Sequence, residues 1–232
     1  ADNSTTYMSF FSQMDTYGDG YAGISVWRAA FKPLVDRIAD TDIRLQWFCC
    51  DRSTGVTDAS GKRVTLIRDT KYPVSVEYQT VKFIGTGRDN IKAGVFSGWE
   101  LGDYIYLRSE EAYMIKMEAL AHKGSADAIT ELNSFMKTRQ PDYNYTFTNK
   151  ADLIEEIIYQ KRVEFWGEGL EYIDNRRLNI PVDRTDETWG AENNNHFSAG
   201  KFRYNQEERP FLYQLPLSEI ENNSQLSPTD QN

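Results

Sequence analysis

Hydrophobic positions recur at helical spacing in the second half of this 232-residue chain and at strand spacing in part of the first. From residue 103 onward, Leu107, Glu111, Ile115 and Ala119 mark one stripe, widened by Ala112 and Tyr113. This predicts a helix over 104–123. Gly124 ends it, and Ser125 can cap the next. Ala126, Ile129, Leu132 and Phe135 make a second stripe, a helix over 125–139 that stops before Pro141. Ile154, Ile157, Ile158, Lys161 and Phe165 predict a third, over 149–167, with Thr148 as its N-cap and Asp152, Glu155 and Glu156 near its positive end. Gly167 and Gly169 break that helix, and a shorter one carries Tyr172, Ile173 and Leu178. Expected core positions are Ile115, Ala119, Ile129, Leu132, Ile157, Ile158 and Phe165.

Upstream the period changes. Val64, Leu66, Val74, Val76, Tyr78 and Val81 alternate, so 62–84 reads as a small β excursion of two or three strands. Glycines 85, 87, 94 and 98 make 85–98 a loop. Ala30, Phe31, Leu34 and Val35 suggest a short amphipathic helix within 27–38, interrupted early by Pro33. The fold class is therefore mainly α. A tight pair of antiparallel helices resembles one tetratricopeptide-like unit, with long loops around it. One such pair cannot bury its apolar face alone. The reading is a single domain over 1–232, with a loop- and β-rich part (1–102), a helical core (103–179) and a loop-rich tail (180–232).

Charge and side-chain chemistry narrow the function. The formal net charge is −9, with 35 acidic and 26 basic residues, which disfavours a phosphate-binding surface and so nucleic acid. No run of 18 apolar residues predicts a membrane span. Cys49 and Cys50 are adjacent, and His122 and His196 are far apart, so zinc sites, disulfide frameworks and a Ser-His-Asp triad are poorly supported. No cofactor is expected. Aromatics make up 13% of the chain. Most belong to a core, but a ring face can also pack on the C–H face of a sugar. The candidates for that role are Tyr17, Tyr21 and Trp27, in or beside a glycine-rich turn tract, and Trp189 in the tail.

Four blocks in order carry a resemblance. They are residues 106–119, residues 132–139, the stretch from Glu155 to Leu178, and Leu215 to Asn223 followed by Gln231 and Asn232; Asp42 and Arg44 add an upstream D-x-R. Together they resemble the SusD/RagB family of outer-membrane nutrient-binding lipoproteins. Departures are Gln160-Lys161-Arg162 for a usual Glu-Arg-Arg, Glu171 for a common Arg, and Ser224 for a usual Pro. The resemblance implies a non-catalytic surface protein of Bacteroidetes that binds oligosaccharide or polysaccharide and delivers it to a SusC-like TonB-dependent transporter. It also implies a cell-outer-membrane location through an N-terminal lipid anchor, and an N-terminal portion that is absent here. Glu110, Glu111, Glu118, Arg139, Arg162, Glu164, Glu168, Asp174 and Arg177 then read as scaffold charges, with Arg forks holding carboxylates at helix crossings. Two other functions compete. One is a helical-repeat interaction module, or a peptide-binding relative, with no glycan role. The other, remote, is a glycoside hydrolase using Glu164 and Glu168, which arginine neighbours would keep ionised and so poor as acids.

Overall fold

The computed structural model describes residues 29–49, 78–80, 82–83, 106–208, 215–227 and 229. The chain divides into two compact units, Ala1–Gly167 and Glu168–Asn232. In the first, α1 (Lys32–Asp36) and a 3-10 turn (Ile43–Trp47) lead to β1 (Phe48–Cys49), which pairs antiparallel with β2 (Gln79–Thr80). Then come α2 (Ser109–His122), α3 (Asp127–Met136) and α4 (Lys150–Glu164). The second unit holds α5 (Leu170–Leu178), β3 (Val182–Asp183), α6 (Asp186–Trp189), a 3-10 turn (Ser198–Gly200), β4 (Arg203–Tyr204) and α7 (Leu217–Asn222). β3 and β4 pair antiparallel, Val182 opposite Tyr204. The described residues are mainly helical, as the periodicity predicts. Most of the β excursion lies outside them; β2 is the part within.

α4 is the centre of the first unit. Leu153, the run Glu156–Lys161, Val163, Glu164 and Phe165 are all buried, so the helix is enclosed on most of its circumference. α2 packs against both α3 and α4. A separate apolar cluster joins Val163 and Tyr159 of α4 to Ala30, Val35, Ile38, Leu45, Phe48 and Tyr78. Four predicted core positions hold: Leu132, Ile157, Ile158 and Phe165 are buried, and Ile129 is half-buried.

The other two do not. Ile115 is 52% exposed and Ala119 is also exposed. The buried face of α2 is instead Met114, Met117, Glu118 and Ala121. α2 carries apolar residues on two faces, and periodicity alone does not rank them. The unbranched methionines fill the irregular space against α3 and α4 better than a branched isoleucine.

The helix ends are locally written. Asn149, not Thr148, caps α4: its side chain accepts the Asp152 amide N–H, while the Asp152 carboxylate accepts the Asn149 amide N–H. Gly124 stops α2 at φ +71°, a conformation that costs a side-chain-bearing residue about 1–2 kcal/mol. Ser125 Oγ accepts the Asp127 amide N–H and so seeds α3. Pro33 does not interrupt α1. It sits in the first turn, where a missing N–H costs nothing.

Candidate binding surface

Glu164 closes α4 and is 1% exposed. Three arginines from three other segments reach it. Arg44 comes from the 3-10 turn, with Nη1 at 3.4 Å from Oε2. Arg108 precedes α2 and Arg139 follows α3; each places a guanidinium nitrogen 3.1 Å from Oε1. Glu110 shares Arg139 at 3.3 Å and Arg108 at 3.7 Å. Asp42 takes Arg44 at 2.7 Å, and the Gln160 side-chain oxygen accepts from the same guanidinium at 2.5 Å. Gln160 in turn donates to Glu156, which also accepts from Tyr143 and pairs with Arg37 at 2.5 Å. Burial alone would push the Glu164 carboxyl up. The Arg139 hydrogen bonds and the charges of Arg44, Arg139 and Arg108 outweigh it and hold the group below the ordinary carboxylate range. A carboxylate ionised this firmly is a poor proton donor. The arrangement ties the starts and ends of separate elements together, as the scaffold reading of Glu110, Arg139 and Glu164 expects.

The second unit contains Trp189, the described member of the four predicted ligand residues. α6 places it at the end of a single turn, 37% exposed. Its indole Nε1–H donates to the Asp183 carbonyl at 3.0 Å, which fixes the ring plane. Asp183 is itself a hub. Its carboxylate accepts from the Thr185 amide, the Thr185 and Thr188 hydroxyls and Arg203. Burial works against the charge, yet these donors bring the Asp183 carboxyl down to about 2. Asp186 takes Lys201 at 2.7 Å and accepts from Asn194. His196 is held below its ordinary value by burial and by the charges of Arg184 and Lys201. Arg177 pairs with Asp174 at 2.7 Å, as expected of a scaffold charge.

Tyr17, Tyr21 and Trp27 lie outside the described residues, so none of them is placed beside Trp189. Two exposed rings of the second unit are not among the predicted ligand residues: Phe197, 75% exposed, and Tyr172, 40% exposed, which the sequence reading placed only on the short helix. Phe197 follows the Asn193–Asn195 loop, whose polar run is the signal that could have singled it out. Among the described residues no three His, Cys, Asp or Glu side chains are grouped as metal ligands, and no helix is long and apolar enough to cross a membrane.

The comparisons agree with this architecture. No curated protein matches the chain. A solved SusD-like carbohydrate-binding protein from Bacteroides vulgatus superposes with a TM-score of 0.62 at 21% identity, over 93% of this chain and 44% of its own. That likeness shows a shared fold, and this chain spans less than half the length of that relative. The sequence profile of the SusD family matches residues 29–232. With that match over most of its length, the chain belongs to the SusD family.

Proposed function

We propose that this chain is part of a non-catalytic cell-surface protein that captures glycans and passes them to a TonB-dependent transporter of the outer membrane. The observation that carries the proposal is the family match over residues 29–232, in a family whose solved relative is a carbohydrate-binding protein. The chemistry is compatible. Glu164 is enclosed by arginines rather than opened to a cleft. Sugar capture needs ring faces and loop hydrogen-bond groups rather than acid–base pairs. Tyr17, Tyr21, Trp27 and Trp189 are the proposed platforms. Membrane attachment is assigned to an N-terminal lipid anchor.

The test is calorimetry against a panel of oligosaccharides, with a product assay on every binder. Weak binding without hydrolysis is expected, because a solvent-exposed stack buries little area and association has its own entropic cost. Trp27→Ala and Trp189→Ala should each weaken binding while the melting temperature stays near that of the wild type. Turnover of a bound glycan sinks the proposal, as does a panel without any binder. The alternative of a helical-repeat interaction module draws support from the α2–α3 pair. It gains if peptides bind where glycans do not.

A further inference from the structure

The loop that follows α6 is organised around one buried side chain. Asn194 is 7% exposed, while Asn193 and Asn195 on either side of it are open to solvent. Its Nδ2 donates to the Arg184 carbonyl at 3.0 Å and to Asp186 Oδ1 at 2.8 Å, and its Oδ1 accepts the His196 amide N–H at 3.2 Å. The first two bonds hold the start of α6, which carries Trp189 at its end. The third holds the residue before Phe197. The amide N–H groups of Asn193 and Asn194 close the turn by donating to the Gly190 carbonyl at 3.1 and 3.0 Å. Beyond the loop, the Gly200 amide N–H donates to the Phe197 carbonyl at 2.8 Å, and a side-chain carbon at residue 200 would stand 3.5 Å from two atoms of the Phe197 ring. Gly200 is buried, yet Phe197 is 75% exposed. The ring is anchored at its base and open to water over most of its surface.

A singly exposed apolar side chain is ordinary. Phe197 differs in how it is presented. A ring whose backbone is already fixed loses little freedom on binding, so more of its contact energy appears as affinity. The exposed amides of Asn193 and Asn195 can both donate to and accept from hydroxyl groups. Charge then selects among sugars. Residues 185–200 contain Asp186, Glu187 and Glu192 and no lysine or arginine. The cations at the two edges are engaged within the unit, Lys201 with Asp186 at 2.7 Å and Arg184 over the Phe202 ring at 4.9 Å. A carboxylated or sulfated sugar approaching this loop meets like charge, which is costly at an interface. A neutral sugar offers its C–H face to the ring and its hydroxyls to the amides.

We infer that Phe197, with Trp189 at the other end of the same Asn194-anchored loop, forms a subsite that takes neutral oligosaccharides and rejects acidic ones. The inference rests on the glycan reading above and narrows it. Calorimetry of the complete gene product tests it, comparing neutral gluco-, manno- and xylo-oligosaccharides with oligogalacturonides and sulfated oligosaccharides of equal length. A neutral ligand is expected to bind, and the acidic ones to bind at least about tenfold more weakly. Phe197→Ala should weaken the neutral ligand about 3–10-fold, the effect of roughly one ring contact. Phe197→Trp should restore the affinity, while Phe197→Leu, apolar but without a ring, should behave like the alanine variant. All three should melt near the wild-type temperature. A neutral glycan that binds Phe197→Ala as well as wild type overturns the inference and leaves the glycan reading standing. Acidic glycans that bind as tightly as neutral ones also overturn it, as does a Phe197→Ala variant that melts several degrees lower, which would make the ring a structural one. Absence of any binder removes both the glycan reading and this subsite.

Discussion

Glu164 in the first unit and Asp183 in the second are both carboxylates surrounded by donors, and they serve the fold differently. Glu164 is almost fully buried and its carboxylate meets three guanidinium groups. Asp183 is half-buried, and most of its donors are neutral: a backbone amide and two hydroxyls, with Arg203 as the one cation. The first arrangement pins separate segments together through charge in a medium that screens it little. The second shapes one local turn through hydrogen bonds that water can partly replace. Long-range charge pairs therefore belong to the scaffold of this protein, while short-range polar clusters belong to its loops.

Glu164→Ala should separate the two most clearly. It strips three buried or half-buried arginines of a shared anion, and a loss of about 3–5 kcal/mol is expected in denaturant unfolding. A loss below about 1 kcal/mol would place the weight of the scaffold on apolar packing alone. Ile158→Ala provides the apolar reference. It empties space beside the same helix at a position 5% exposed, and about 2–5 kcal/mol should be lost. Asp183→Ala should cost less, about 1–2 kcal/mol, because each hydrogen bond contributes modestly. Hydrogen exchange should show that loss confined to residues 182–204.

Acid sharpens the contrast. Both carboxyls are depressed in the folded state, so the stability they contribute is present above their unfolded values and is lost as pH falls through the folded ones. For Asp183 that window runs from 3.8 down to about 2. Segment-resolved hydrogen exchange between pH 5 and 2 should show protection around β3 and β4 persisting until near the bottom of that range. Early loss, above pH 4, would mean that the Thr185, Thr188 and Arg203 donors do not hold the charge. The smallest expected effect is that of Trp189→Ala on stability, below about 1 kcal/mol, since its ring is partly exposed and one N–H bond is removed. Its readout is glycan affinity.

The sequence alone determined the helical class, the three main helices (two to within about three residues, α2 starting five residues later than expected), the Gly124 stop and the buried side of α4. Each is a local property: propensity, capping chemistry, or a face so apolar that one burial is available. The family was legible for a related reason, since its blocks are the charged and apolar positions of those helices. Only the tertiary structure decided which face of α2 turns inward, because Ile115 and Met114 are equally apolar in a sequence and differ in what packs against them. Only it gathered Arg44, Arg108 and Arg139 onto one carboxylate from positions 120, 56 and 25 residues away. Charge pairing across such separations leaves no periodic trace. It depends on where the apolar faces first bring the helix ends together.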